Sequence, residues 1–308
     1  MPIIPLEVQD QIVAHASQRG AEVSNQDITH TLGVCSLVCK DWYTLTRRWI
    51  FRRVELKISF SSWRNTSGDV NGSASAFLQY FKAKPAILKN IKSIRLRLAG
   101  KTTLRRGLDT PAFKEALSLV REICAVLLPV VREVSLSFDT PSLIQDSPFL
   151  RDALAALYCG PRVHTVYMHS SMIPPSLILR SSSLKKIVLD QCHGMILPMS
   201  VMEGVLLNRL NGNVNVVNAG LSSLVIDNAQ PSKIWSHVWR FLERSEIVDT
   251  FFSGIDELSL SLSHSVPTIG HWDFKLYTPR LTSLTLSYIS VEGEFLSLRL
   301  FQFTHPFL

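Results

Sequence analysis

The chain of 308 residues is poor in charge and has no long apolar run. Charged residues make up 19% and hydrophobic residues 46%, which argues against disorder over most of the chain. The longest strongly apolar run, residues 123–131, contains a proline and is too short to cross a bilayer. Met1 to Pro5 contain no charged segment followed by an apolar one, which argues against a signal peptide. We therefore expect no contact with a membrane and a location in the cytoplasm, the nucleus or both.

Cysteines are also few, and their spacing indicates no disulfide framework. The five residues are Cys35, Cys39, Cys124, Cys159 and Cys192, an odd number that fits a reducing compartment. Cys35 and Cys39 lie four residues apart, but a structural zinc needs four ligands and no second pair follows at suitable spacing. We predict no bound metal.

The short motifs of common enzymes are absent as well. There is no Gly-rich phosphate loop, no His-Glu-x-x-His and no Gly-x-Ser-x-Gly. Asp190, Cys192 and His193 look like an acid, a nucleophile and a base, but neighbouring residues of a strand face opposite sides. We therefore expect no catalysis, no catalytic residue and no cofactor.

Positive charge is concentrated in the first third of the chain. Residues 1–110 contain 17 Lys and Arg against 8 Asp and Glu, whereas residues 111–308 contain 15 against 17. Such a basic segment favours an acidic partner, either a protein or a nucleic acid. No DNA or RNA motif is present and the basic residues are not interleaved with regular aromatic ones, so nucleic acid is only an alternative partner.

From residue 91 onward the pattern apolar-x-x-apolar-x-apolar recurs seven times. The copies begin at residues 91, 131, 163, 184, 221, 255 and 281. The pattern resembles the strand half of a leucine-rich repeat, in a degenerate array with irregular spacing. A strand is also predicted at 54–60, and helices at 76–88, 112–126 and 234–252. We predict an α/β domain over residues 54–308, a curved solenoid with parallel strands inside and helices or loops outside.

In each copy the apolar residues should face the core and their neighbours the concave surface. Solenoids commonly bind partners on that side, so we hypothesise that this surface binds a protein substrate. The alternative is a solvated sheet face with no partner. The candidate substrate-binding residues are Arg95, Arg97, Tyr167, His169, Asp190 and Asp227.

The last copy of the pattern is unusual. Phe295, Leu298 and Leu300 fit it but follow the previous copy by only 14 residues, and the chain stays apolar to Leu308. A solenoid needs a polar cap at its ends. Either the last hairpin folds back as its own cap, or the sequence lacks its natural C-terminus.

The first fifty residues contain two apolar series at helical spacing. Val8, Ile12 and Ala16 form the first, after a proline near a helix start, and the second runs from Leu32 to Leu45. These series predict two or three short helices that pack on one small core, as a domain over residues 1–53.

The same segment carries the motifs of a known family. Members begin with Leu-Pro-x-Glu-apolar, and later show Leu-x(4)-Leu-Val-Cys-Arg-x-Trp. The matching residues here are Ile4, Pro5, Leu6, Glu7 and Val8, and then Leu32, Leu37, Val38, Cys39, Lys40 and Trp42. The segment therefore resembles an F-box, the helical module that connects substrate receptors to Skp–cullin ubiquitin ligases.

The resemblance implies a substrate-recognition subunit with three kinds of partner: a Skp-type adaptor, a cullin reached through that adaptor, and a protein substrate. Skp-type adaptors are acidic as a family, which fits the basic first third of the chain. A ligase-independent scaffold, in which the helices only cap the solenoid, is the alternative. The adaptor-binding residues that the family motif implies are Ile4, Pro5, Leu6, Ile12, Leu32, Leu37, Val38 and Trp42.

Overall fold

A computed structural model defines the fold. It describes residues 6–16, 25–37, 40–60, 71–100, 110–174, 177, 183–195, 221–227, 254–263, 282–289 and 295–302. The predicted helix at 234–252 lies outside these ranges. None of the described helices is long and apolar enough to span a membrane.

Three helices open the described chain, and each contacts the other two. They are α1 (Leu6–Ala16), α2 (Asn25–Cys35) and α3 (Lys40–Ile50). Their small core consists of Val13, Leu32 and Leu45, and Trp42 and Trp49 pack against it half-buried. The prediction of short helices on one small core is confirmed, but the predicted packing of Val8, Ile12 and Leu37 is wrong: all three are exposed, and Val13 fills the core instead. We call α1, α2 and α3 the helical module.

Beyond the helical module, nine of the described strands form a single sheet. In chain order the strands are β1 (Arg53–Ser59), β2 (Ser93–Ala99), β3 (Glu133–Phe138), β4 (Thr165–His169), β5 (Met172–Ile173), β6 (Lys186–Asp190), β7 (Gly194–Met195), β8 (Ser223–Asp227), β9 (Glu257–Ser263), β10 (Ser283–Ile289) and β11 (Phe295–Gln302). The sheet order is β1-β2-β3-β4-β6-β8-β9-β10-β11, and all its pairs are parallel except β10 with β11. The fold is thus α/β with a mostly parallel sheet.

The repeated apolar pattern marks strands that pair in register. Leu96, Leu136, Met168, Leu189 and Ile226 lie opposite one another along five successive strands. All five side chains are buried. The predicted assignment of the apolar positions to the core is therefore confirmed for these copies.

The main chain repeats one hydrogen-bond arrangement just before each strand. The N–H groups of Lys92 and Ser93 both donate to the carbonyl of Arg52, at 2.9 and 3.0 Å. The carbonyl of Lys92 accepts two N–H groups in the same way, and so do those of Arg132, His164 and Lys185. This arrangement aligns the starts of the strands and fixes the register of the sheet.

Four α-helices and a 3₁₀-helix connect the early strands. They are α4 (Gly72–Ala83), the 3₁₀-helix (Pro85–Asn90), α5 (Pro111–Leu127), α6 (Ser142–Asp146) and α7 (Pro148–Tyr158). The predicted helix at 112–126 is confirmed as α5, which begins with Thr110 as a cap: its hydroxyl accepts from the Phe113 N–H at 3.3 Å. The helix predicted within 76–88, with its end near Pro85, is α4: it begins earlier than expected, at Gly72, and ends at Ala83 as expected, because Pro85 has no N–H to continue it. Helices α6 and α7 were not predicted.

Two consecutive copies of the strand pattern, which begin at residues 163 and 184, have the same local structure after the strand. Ser170 and Gln191 follow β4 and β6 and both adopt a positive φ, 51° and 48°. The next residues, Ser171 and Cys192, are buried, and β5 then pairs with β7 in a second small sheet. The left-handed residue turns the chain away from the main sheet at the same point in each copy.

The chain forms an antiparallel hairpin at β10 and β11, with an irregularity between Leu284 and Thr285. β11 thus folds back along β10. An antiparallel edge strand ends the run of parallel pairs.

Replacing Leu136 with alanine should lower the free energy of unfolding by about 2–5 kcal/mol, because its buried side chain lies in the apolar row at the centre of the sheet. Replacing the exposed Arg95 of the neighbouring strand with alanine should change it by less than about 0.5 kcal/mol. Urea denaturation followed by circular dichroism measures both. Equal losses would contradict this assignment of the two sheet faces.

Candidate docking surfaces

Four apolar side chains of the helical module are exposed. Val8 and Ile12 are 42% and 43% exposed, Val34 is 54% and Leu37 is 83%. Val8 and Ile12 lie one turn apart on α1 and so share a face. Val34 and Leu37 lie at the end of α2. We call these four residues the apolar patch; none of them is needed to fill the small core.

The eight residues that the family motif implies differ in their exposure in the structure. Ile12 and Leu37 are exposed, so they are available to a partner, whereas Leu32 is only 2% exposed and holds the helices together from inside the small core. Trp42 is half-buried against that core. The side chain of Leu6 and the whole of Ile4, Pro5 and Val38 lie outside the described residues. Val8 and Val34 were missed because exposure at a helix surface depends on how the helices pack.

The helical module is held together by a polar contact as well as by its core. The indole Nε1 of Trp49 donates to Asp10 Oδ1 at 3.3 Å, which connects α3 to α1. Thr46, buried on α3, donates its hydroxyl to the carbonyl of Trp42 at 2.7 Å. This hydroxyl is thus satisfied inside the module, as buried polar groups require.

An arginine and three aromatic side chains connect the helical module to the sheet domain. Arg47 donates from Nη1 to the Tyr43 hydroxyl at 2.9 Å and from Nη2 to the Tyr80 hydroxyl at 2.6 Å. The ring of Phe51 stacks on Tyr80 and meets Phe81 edge to face, both with centroids 5.8 Å apart. Tyr80 and Phe81 belong to α4, so the last helix of the module is fixed against the first helix of the sheet domain.

The candidate substrate-binding residues lie on one face of the sheet. Arg97, His169, Asp190 and Asp227 occupy a single row across the strands, one residue from each. His169 Nδ1 lies 2.6 Å from Asp190 Oδ2, and Arg97 Nε donates to Asp139 Oδ1 at 3.2 Å. The row thus changes from basic at β2 to acidic at β8. We call these four residues the charged row.

The two other candidates, Arg95 and Tyr167, occupy the next row toward the start of the strands. Both are exposed. Burial raises the pKa of the Tyr167 phenol, the carboxylate of Glu133 raises it further, and Arg53 partly opposes the shift. The phenol therefore stays protonated at neutral pH and can donate a hydrogen bond to a partner.

The structure gives Cys192 a structural role. Its side chain is buried and its Sγ lies 3.5 Å from the carbonyl of Met168. Burial is the main cause that raises the pKa of the thiol to about 12, so the nucleophilic thiolate is scarce. Among the described residues no cluster of three or more His, Cys, Asp or Glu could hold a metal ion.

Comparison with models of protein families and with curated proteins finds no match to this chain. The interpretation of its function therefore rests on the apolar patch, the charged row and the motif residues of the helical module.

Cys124 and Cys192 should resist iodoacetamide in the native protein at pH 8. Both have a pKa raised to about 12 by burial, so only about one thiol in ten thousand is ionised. The half-exposed Cys35 serves as the internal comparison. Peptide mass spectrometry should find Cys35 alkylated first, and all three cysteines alkylated in urea. Rapid native alkylation of Cys192 would contradict its burial.

Proposed function

We propose that this chain is the substrate-recognition subunit of a Skp–cullin–F-box type ubiquitin ligase. In this proposal the helical module binds a Skp-type adaptor and the sheet domain binds a protein substrate. The observation that carries it is the apolar patch, which remains exposed on a helical module that has its own core and a fixed connection to the sheet domain.

The apolar patch has the composition expected of the centre of a protein interface. Fully burying an exposed Val, Leu or Ile side chain contributes roughly 1.5–3 kcal/mol. Burial of the four side chains together would therefore contribute several kcal/mol to binding. Ile12 and Leu37, which the F-box motif implies at the interface, are both in the patch.

The charge of the helical module supports an acidic adaptor. Arg47, Arg48 and Arg52 follow one another along the last turn of α3 and the residues after it. Positive groups on the same helical module attract an acidic protein at a distance and raise its association rate. The apolar contacts then hold the complex together.

The chain needs no catalytic group for this role. A receptor acts by holding its substrate near a recruited enzyme, which raises the effective concentration of the acceptor group. The connection through Arg47, Phe51 and Tyr80 supports this role, because it fixes the direction of the sheet domain relative to the helical module.

The charged row supports a protein substrate with both charge signs. Arg97 lies toward one end of the row, and Asp190 and Asp227 lie toward the other. A partner segment with a negative charge near Arg97 and positive charges near the two aspartates would match it. Such a row favours one orientation of the bound segment as well as one kind of partner.

The adaptor hypothesis is tested by adding charge to the apolar patch. The double variant Ile12→Asp with Leu37→Asp should reduce co-purification of a Skp-type adaptor at least tenfold, because each carboxylate would be buried in the interface. Phe149→Asp is the matched control: Phe149 is 63% exposed on α7, away from the helical module. Thermal denaturation verifies that both variants fold.

Two results would contradict adaptor binding. In the first, the wild-type chain fails to bind any Skp-type adaptor. In the second, the folded double variant binds as well as the Phe149→Asp control. Either result would leave the ligase-independent scaffold as the remaining interpretation.

The substrate hypothesis is tested by removing the acidic end of the charged row. Asp190→Asn with Asp227→Asn should lower the recovery of specifically bound proteins several-fold while adaptor binding is unchanged. Quantitative mass spectrometry of the co-purified proteins measures this recovery. Glu122→Gln with Asp152→Asn removes the same charge from exposed positions on α5 and α7 and is the control. Equal recovery from both variants would exclude this end of the row as a binding site.

A further inference from the structure

A row of basic residues runs along the edge of the sheet where the strands begin. Arg52, Lys92, Arg132, His164 and Lys185 each precede a strand at the same position, and each donates to or accepts from its neighbour through the main chain. We call these residues the basic row. Because neighbouring strands lie about 4.8 Å apart, five residues extend over roughly 19 Å. The row cannot be recognised from the sequence, because its successive members lie 21 to 40 residues apart in the chain.

One end of the basic row forms the wall of a groove. The groove has a volume of about 900 Å³ and lies between α3, the 3₁₀-helix and the starts of β2 and β3. This volume is in the range of sites that hold small ligands, roughly 300–1,000 Å³. Six of its lining side chains are cationic and two are acidic. The cationic ones are Arg47, Arg48, Arg52, Lys89, Lys92 and Arg132.

The two acidic side chains do not neutralise the groove. Asp10 and Glu133 offset only two of the six positive charges that line it. Among the described residues no salt bridge joins a carboxylate to any of the six cations. Like charges held together in this way repel one another, and a bound anion would relieve that repulsion.

Lys92 lies in the groove within the influence of four arginines. Its Nζ donates to the carbonyl of Lys89 at 3.0 Å. Burial lowers the pKa of its ammonium group, and the charges of Arg132, Arg162, Arg52 and Arg48 lower it further, in that order. Four guanidinium groups therefore act on one lysine, one from α3 and three from the segments before β1, β3 and β4.

Aromatic rings hold two of the arginines in place. The Arg52 guanidinium lies 4.6 Å from the centroid of Trp49, and that of Arg47 is fixed by the hydroxyls of Tyr43 and Tyr80. Side chains that are already ordered lose less entropy when they bind a ligand. Planar guanidinium groups also match the oxygens of phosphate in pairs.

We propose that this groove binds a compact anion that carries several phosphate groups. The convergence of four arginines and two lysines on one groove favours a small polyphosphorylated ligand over a nucleic acid. A single strand of nucleic acid requires aromatic faces on which bases stack, whereas Tyr43 and Trp49 in this groove already have an arginine on the ring. The groove shares Arg47, Arg48 and Arg52 with the charge that favours an acidic adaptor, but it does not include the apolar patch.

Isothermal titration calorimetry with sodium tripolyphosphate tests the proposal in the full chain. The wild type should bind it saturably at one site, and the melting temperature should rise with its concentration. Arg48→Gln with Arg132→Gln should weaken binding about 100-fold, about tenfold for each guanidinium removed. Without the anion, this variant should melt no lower than the wild type, because it has lost repulsive charges.

The matched control is Lys57→Gln with Arg95→Gln, which removes two exposed charges from the sheet face. It should change the affinity less than about threefold, because salt screens distant charges. Three results would overturn the proposal: no saturable binding by the wild type, equal weakening in both double variants, or tighter binding per phosphate by a single-stranded oligonucleotide. The last result would identify nucleic acid as the ligand instead.

Discussion

The core of the sheet domain, the charged row and the basic row all depend on the register between the parallel strands. At the start of each early strand one carbonyl accepts two N–H groups from the next, from Arg52 through Lys185. Side chains alternate along a strand, so a slip of one residue would exchange the buried and exposed faces. The same register buries Leu96 and Leu136 in the core, aligns the charged row and assembles the basic row. Three separate features thus share one cause.

The connection between the helical module and the sheet domain is the second constraint. The module has a small core of its own, and few buried residues give little stability by themselves. Contacts of Arg47 and Phe51 with Tyr80 and Phe81 join it to the much larger core of the sheet domain. The same contacts shape the groove, because Arg47 lines it. A change at Tyr80 would therefore affect both the connection and the groove.

The parts of the fold that the sequence predicted correctly were predicted from the periodicity of its apolar residues. The pattern apolar-x-x-apolar-x-apolar located the strands from β2 onward, and helical spacing located α5, because burial in these elements follows their own geometry. The short helix α7 was missed, although Ser147 and Pro148 form a usual helix start. Its buried residues Leu150, Leu154 and Leu157 are also at helical spacing, so the signal was present in the sequence.

The sequence alone determined the α/β class, the apolar positions of the core, the basic first third and the motif residues of the helical module. These properties depend on the order and type of residues close together in the chain. Only the tertiary structure decided that Leu32 is buried while Leu37 is exposed, and that Arg52, Lys92 and Arg132 lie side by side. Burial and neighbourhood of this kind depend on strand pairing and helix packing between residues tens of positions apart. A local sequence pattern therefore does not predict them.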